Sequence, residues 1–526
     1  MAEGDLRLGI DVGGTNTDAV VLDQADAILA KAKVPTTPDV TSGIAAVIEA
    51  VLEQATVDRA EITRAMLGTT HATNAILERR GLRRVAVLRL GAPATLAIRP
   101  LFGWPEDLRR AVSSGEAVVQ GGIEFDGREL SPFDTDGVAR FLASVEGRAQ
   151  AVAITSVFAP VSAEHELAAE ELVRKELGDI PVSLSHQVGS VGLLERENAT
   201  VLNAALIDVA RDVAGAVDDA FAGQGLSPIT FFAQNDGTLM AMDYARRYPV
   251  LTIGSGAANS IRGAAYLTKR SDALVVDVGG TSTDIGVLVN GFPRESSLGV
   301  DIGGVRTNFR MPDLVTMALG GGTVVRSLDG QARVGPESVG HRLREVALVF
   351  GGRTATLTDS AVASGRAALG DRQTTGPAGD LLLAGLELAD AMLADGVDRV
   401  KTSREDRPLI AVGGGSILVP EELPGVSEVH RPEHFDVANA IGAAIALVSG
   451  EVDRIFHLGP GGRQAVVEEA SDEAIERAVG AGADPAAVEI VEVEEIPLAY
   501  LTQPAVRIRL KAAGPLAWER AAEGGG

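Results

Sequence analysis

The sequence predicts an α/β chain of two similar halves facing one site, with a small α/β appendage at the C-terminal end. Three observations carry this prediction. The octets DVGGTNTD (11–18) and DVGGTSTD (277–284) differ only at Asn16/Ser282. A repeat this far apart, outside any short-period array, points to two similar half-molecules. Apolar strand runs at 83–90 and 151–159 occur in the same chain as helical patterns at 42–55 and 193–221. Finally, the chain has 526 residues, 46% of them hydrophobic, with 61 glycines and 4% aromatics. It is too long for one core and rich in turns.

Composition also excludes several classes. A net charge of −25 argues against general binding to nucleic acid or an anionic membrane, yet leaves room for a nucleotide held by glycine turns and a metal. The absence of cysteine removes disulfides, thiolate nucleophiles and cysteine-bound zinc or iron–sulfur clusters. The start MAEGDLRLGIDVGG is acidic and runs directly into a strand, so no signal peptide is expected. No apolar run reaches the roughly 18–20 residues of a membrane span. A cytoplasmic location is the default expectation.

In chain order, residues 6–23 read as a β-hairpin and 27–34 continue the meander. A Pro/Thr loop (34–43) ends at Asp39 or Thr41. Either can cap a helix over 42–55 with Ile44, Val47, Ile48 and Val51 on one face. A strand ending at Gly68 leads through TTHATN into a helix from about Thr73 to Gly81, whose Arg79 and Arg80 complement its dipole. A buried strand at 83–90 precedes a loop-rich stretch at 91–135. Another strand at 151–159 precedes a helix over 160–177 with acid early and base late, then a strand and turn at 182–190. The long helical pattern at 193–221 is expected to cross between halves. A strand and polar turn (230–240) are followed by a short helix, a strand, a small-residue loop and a helix start (243–267). The second hairpin occupies 274–289. A glycine-dense stretch (299–327) has no evident element. Then come a loop or strand into a capped helix (346–366), a helix (381–393), a strand ending in three glycines (407–420) and a small-residue helix (438–450). Beyond Glu451 a loop, a helix over 471–482 and strands at 488–495 and 505–514 form the appendage. The expected units are therefore 1–192, with its loop-rich insertion, 193–450 and 451–526.

In each octet an apolar strand ends in an acid before two glycines. The glycines permit the tight reversal, and the turn gathers backbone N–H groups and hydroxyls as a phosphate chain requires. The expected phosphate donors are Gly13, Gly14, Thr15 and Asn16 on one side and Gly279, Gly280, Thr281 and Ser282 on the other. Asp11 and Asp277 are placed to orient the waters of a Mg2+ ion. Asp18 and Asp284 either share that task or stabilise their own turns. Gly413, Gly414 and Gly415, in VGGGS (412–416), form either a surface for a ligand's ring or a tight corner. His71, with Thr69, Thr70 and Asn74 beside it, is either a substrate or phosphate contact, plausible as a general base, or a polar helix start. Asn235 and Asp236 are either a ligand contact or a loop. Asp313 and Asp359 either assist attack by water or cap. No GxGxxG opens a helix after the first strand and no GxxxxGK[ST] occurs, which disfavours Rossmann and P-loop sites.

Two phosphate hairpins with a late glycine-rich adenosine motif resemble the actin, Hsp70 and sugar-kinase superfamily. That resemblance implies two actin-like (ribonuclease H-like) halves around a central nucleotide cleft binding ATP and Mg2+. A narrower resemblance follows from LGTTHATNAILERRG (67–81), QNDGTLM (234–240), DVGGTSTDIG (277–286), PDLVTMALGGGT (312–323), VGPESVG (334–340) and TLTDS (356–360). Their order is similar to that of the hydantoinase/oxoprolinase family, specifically its N-methylhydantoinase A-like subunits, over nearly the whole chain to about residue 450. The resemblance implies an ATP-dependent hydrolase, or its ATPase subunit, that activates a cyclic amide such as a hydantoin or 5-oxoproline. ATP would phosphorylate the amide oxygen, and the resulting imidate phosphate is the better electrophile for water. The protein's part is positioning and charge stabilisation at the γ-phosphate. It also implies a second hydantoinase-type subunit and an oligomer. The candidate catalytic residues are Asp11, Asp277, His71 and Asp313.

Three stretches depart from the family pattern. Its Asp-x-His-Thr appears here as Asp313-Leu314-Val315-Thr316, its Pro-Gly-Pro-Ala-Cys-Tyr segment is replaced by HRLREVALVF (341–350), and its SGPA-type loop reads SGAAN (255–259). All three fall where amide handling is expected. The chain is also short for a typical member. Two competing functions stay in view. A small-molecule kinase of the same superfamily would leave a stable phosphorylated product. An ATP-switched chaperone or reactivase would show slow ATP turnover and a bound client protein.

Overall fold

The computed structural model describes residues 5–517 apart from 38–39, 56, 190, 297–298, 309–310, 371–376, 460 and 499–503. The α/β class is as expected, and each octet forms a hairpin in its own sheet. The first sheet has nine strands in the order Glu489–Pro497, Ala505–Gly514, Leu447–His457, Thr238–Ala241, Ile229–Ala233, Ile62–Thr69, Leu6–Val12, Asn16–Leu22 and Ile28–Pro35. The second runs Phe292–Pro293, Thr283–Val289, Ala273–Val278, Arg407–Val412 and Val426–His430, with Leu314–Met317 also pairing to Thr283–Val289. A third, parallel sheet of Ser113–Gln120, Val85–Ala92, Ala151–Ser156 and Val182–Leu184 lies within the first 192 residues. Its outer strand and the helix Glu106–Val112 give regular structure to much of the stretch that reads as loop-rich.

Periodicity placed the main helices well. Ile44, Val47, Ile48 and Val51 of helix Val40–Gln54 are fully buried against the first sheet. The expected cap at Asp39 lies outside the described residues, and Thr41 is inside the helix. The 31-residue helix Leu193–Gly223 packs on both helix Val40–Gln54 and strand Ala151–Ser156, and so joins the first sheet to the parallel one. The helix after Thr69 starts at His71 rather than Thr73.

Other elements differ from expectation for identifiable reasons. The strand expected within 243–267 is a 3-10 turn, Pro249–Thr252, because its proline has no N–H for a ladder. The SGAAN segment opens helix Ser255–Thr268 instead of forming a loop. The small-residue helix is shorter, Ala438–Ala444, since the chain becomes strand at Leu447. The expected breaks at 192/193 and 450/451 do not coincide with the edges of sheets. Strand Ile229–Ala233 pairs in parallel with Ile62–Thr69, and Leu447–His457 pairs with both Thr238–Ala241 and Ala505–Gly514. The α/β unit at the C-terminal end therefore extends the first sheet. Parallel pairing is reached through crossover connections, so neighbours in a sheet are distant in sequence.

Candidate active site

Both octets fold to one geometry. Across each ladder acid faces acid, Asp11 opposite Asp18 and Asp277 opposite Asp284. Each turn is closed by its first glycine: Gly13 N–H donates to Asn16 O at 3.1 Å and Gly279 N–H to Ser282 O at 2.9 Å. The two turns meet, since a Cβ on Gly280 would stand 2.9 Å from Thr15 Cγ2. By contrast, a Cβ on Gly14 or Gly414 would meet no atom within 4 Å. Those two glycines border open space, as the approach of a ligand to backbone requires.

The third glycine segment lies against the second hairpin. Val412 pairs with Asp277, and Gly415 N–H donates to Val278 O at 2.7 Å. Gly413 has a φ of +83° and no room for a Cβ beside Asp277. A further triplet, Gly320–Gly321–Gly322, braces the same turn: the N–H groups of Gly321 and Gly322 donate to the carbonyls of Gly279 (3.0 Å) and Gly280 (2.8 Å).

A polar chain joins the hairpins. Asn439, from helix Ala438–Ala444, donates through Nδ2 to Asp11 Oδ2 at 3.3 Å. Its Oδ1 lies 2.6 Å from Ser260 Oγ, and Ser260, from helix Ser255–Thr268, is also bonded to Asp277 Oδ2. One hydroxyl proton cannot serve both acceptors. Ser260 therefore donates to one of the two at a time, and burial raises the Asp277 carboxyl above its usual range. Burial, with Asp18 and Asp277 adding like charge, raises Asp11 to about 7. Burial likewise lifts Asp18 and Asp284 to about 6. Asp11 Oδ1 and both amide atoms of the fully buried Asn259 lack hydrogen-bond partners. Buried polar groups without a partner are rare in folded proteins and mark places where an ion, water or ligand group would be bound.

Among the described residues no group of three or more His, Asp and Glu gathers to hold a metal. Mg2+ commonly keeps several waters and takes one or two carboxylates plus substrate phosphates. Asp11 and Asp277, with one oxygen orphaned, fit that mode.

The remaining candidates divide. Asp18 is paired with Lys33 (Nζ to Oδ2, 2.6 Å), and Asp284 accepts from Thr316 Oγ1 at 2.6 Å, so each anchors a neighbouring strand. Thr69 pairs with Val12 in the ladder, which places Thr69–His71 one strand from the first turn. His71 Nδ1 lies 2.7 Å from Thr69 Oγ1, and the ring borders a cavity of ≈ 20 Å3 beside Val209 and Val213. Burial lowers its pKa and favours the neutral ring. Asp313 is not brought to the hairpins. It is half-exposed, pairs with Arg294 at 2.7 Å, and stands three residues before Thr316, the partner of Asp284, roughly 10 Å of strand away. Asp359 caps helix Leu357–Ala363, accepting from Val349 N and Thr356 N at 2.7 Å each. Asp236 is buried against Lys511, and Asn235 Oδ1 accepts from Gly254 N–H at 2.7 Å. Sequence reasoning missed Ser260, Asn259 and Asn439, although Asn439 is the only polar residue in ANAIGAAIA (438–446).

The raised acids have a consequence for the ligand-free chain. A carboxyl whose pKa rises on folding gives stability that is complete below its unfolded value and is lost as pH passes through the folded one. For Asp11 that interval runs from 3.8 to about 7. Thermal denaturation of the ligand-free chain should therefore show Tm falling across this range, and Asp11→Asn should flatten the fall.

Residues 7–177 match the family model described as the hydantoinase/oxoprolinase N-terminal region, and residues 196–384 match the one described as hydantoinase/oxoprolinase. The chain is 30% identical over 388 residues to caprolactamase subunit alpha of Pseudomonas jessenii, covering 69% of this chain and 55% of that one. It is 27% identical over 392 residues to the acetophenone carboxylase gamma subunit of Aromatoleum aromaticum, covering 68% and 53%. The chain thus spans little more than half the length of these relatives. The crystal structure of the ATP-dependent caprolactamase from Pseudomonas jessenii superposes with a TM-score of 0.77 at 22% identity, over 97% of this chain and 88% of that one. This last likeness concerns the fold.

Proposed function

Because the chain belongs to the hydantoinase/oxoprolinase family, we propose that it is the ATP-using component of a hydrolase that activates a cyclic amide by phosphorylation before ring opening. The observation that carries this reading is the pair of facing hairpins bridged through Asp11, Asn439, Ser260 and Asp277. The turns of 13–16 and 279–282 would cradle the phosphates, with Gly14 and Gly414 letting the nucleotide approach backbone. Asp11 and Asp277 would hold Mg2+ through its waters, and the ion would supply neutralisation of phosphate charge. Asn439 and Ser260 keep the two acids at a fixed separation.

The amide is supported by the family and by a relative named as a caprolactamase subunit. Both named relatives are subunits, and we include a second hydantoinase-type subunit and an oligomer in the proposal. No described helix is long and apolar enough to cross a membrane. The test is ADP formation with a panel of hydantoins, 5-oxoproline and larger lactams, with and without a subunit encoded beside this chain. We expect at least one cyclic amide to stimulate turnover. If none does, the substrate assignment falls; a stable phosphorylated product would instead favour a small-molecule kinase.

A further inference from the structure

A cavity of ≈ 660 Å3 lies apart from the hairpin turns. It forms where the carboxyl end of the parallel sheet, at His186–Gly189, meets the Gln234–Asp236 turn of the first sheet. Ligands of open α/β sheets gather at such carboxyl ends. The strand leading into Gln234 is the second neighbour of Leu6–Val12 and parallel to it. The cavity therefore reaches the sheet edge that carries the first phosphate turn, about 10 Å across two strand spacings.

One side chain in this cavity is arranged for proton transfer. Glu166 is completely buried and accepts from Ser156 N–H (2.8 Å), Ser185 Oγ (2.5 Å), His186 N–H (3.1 Å) and His186 Nδ1 (2.6 Å). Its two oxygens thus take four bonds, two each. The bond to Nδ1 fixes that nitrogen as the protonated one and leaves the lone pair on Nε2. Nε2 has no hydrogen-bond partner among the described residues, and His186 lines the cavity. A buried acid orienting a histidine by its far nitrogen is the arrangement by which proteins set up a base.

The charged groups around the cavity are already paired: Asp236 and Glu451 with Lys511, Asp453 with Arg507 and Arg509, and Arg477 with Glu473. Leu239, Met240 and Leu251 supply apolar wall. The chemistry suits a neutral ring with one ionisable N–H.

We propose that this cavity is the amide site and that His186 is its catalytic base, with Glu166 as the positioning residue. The proposal rests on the activation reaction given above and names its missing base. As the amide oxygen attacks the γ-phosphorus, a new O–P bond forms and the bond to the bridging oxygen of the departing ADP breaks. The amide N–H proton passes to His186 Nε2, and its electron pair becomes the C=N bond of the imidate phosphate.

The test measures ATP binding and amide-stimulated ADP formation for the wild type, His186→Asn and His186→Ala. Both variants should bind ATP as the wild type does and lose roughly 10²-fold or more of the stimulated rate, the usual worth of a general base. Free imidazole should restore part of the rate to His186→Ala and none to His186→Asn, a rescue that a merely structural histidine would not give. The proposal is overturned if His186→Asn keeps the stimulated rate, if imidazole restores nothing, or if both variants lose ATP binding. A wild type that binds ATP but answers to no cyclic amide would instead overturn the activation reading, and this assignment with it.

Discussion

Replacing Asp277 by asparagine is expected to abolish ATP turnover while leaving the chain folded, and Asp11→Asn should do the same. Asp11 is buried and Asp277 half-buried at the strand ends that enter the phosphate turns, and Asn439 and Ser260 bridge them. Asparagine keeps the shape and can still hydrogen-bond within that chain. It cannot supply the negative charge that would orient a hydrated divalent cation. Metal stabilisation of transferring phosphoryl groups is worth several kcal/mol, and about 1.4 kcal/mol is tenfold in rate. A fall of roughly 10²–10³-fold or more in kcat follows. Neither substitution should unfold the ligand-free protein, because each removes an acid that burial already pushes toward its neutral form. Steady-state ATPase assays paired with thermal melts check both halves. Turnover near wild type in both variants would show that these acids are not the Mg2+ site.

How much of this site could be read from sequence depended on how local its signals are. The hairpins were legible because one eight-residue pattern contains the apolar strand, the acid and the glycine turn together, and it occurs twice. Gly413–Gly415 was legible as a glycine turn, but its contact with Asp277 was not, since parallel neighbours are set by pairing over 130 residues of chain. The residues that join the hairpins were hidden for another reason. Ser260 and Asn439 sit in helices of small residues, where one polar side chain among alanines and glycines gives no motif. They matter only because those helices cross. Asp313 misled because it is close in sequence to the Gly320–Gly322 triplet that braces the second turn. The intervening strand, Leu314–Met317, carries it away along Thr283–Val289 instead. The C-terminal strands were legible as alternating strands, but which sheet they would extend was not, because alternation fixes a face and not a partner.

That helix crossing makes the second large prediction, at a residue that touches no ligand. Helix Ala438–Ala444 lies against strand Leu6–Val12 on one side and helix Ser255–Thr268 on the other. Three glycines admit it. A Cβ on Gly9 would overlap Ala440 O, one on Gly263 would overlap Ala438 O, and one on Gly442 would overlap Asn259 O. In each case the obstacle is backbone, which no rotamer change can relieve. Gly442→Ala must therefore push two helices apart. Overpacking typically costs about 1–3 kcal/mol and occasionally more, and rigid backbone on both sides places this site at about 3 kcal/mol or above. Urea denaturation should show a lowered midpoint with an unchanged m-value. The displacement also moves Asn439 on one helix and Asn259 and Ser260 on the other, so ATP affinity should fall together with stability. Gly414→Ala provides the contrast, because its Cβ would enter open space beside the second hairpin. It should change stability by no more than about 0.5 kcal/mol and still weaken nucleotide binding, by intruding on the ligand instead of the fold. If Gly442→Ala left both stability and ATP affinity intact, the close helix crossing would not be what holds Asp11 and Asp277 in register. If Gly414→Ala bound ATP normally, the open space beside it would not be where the nucleotide lies.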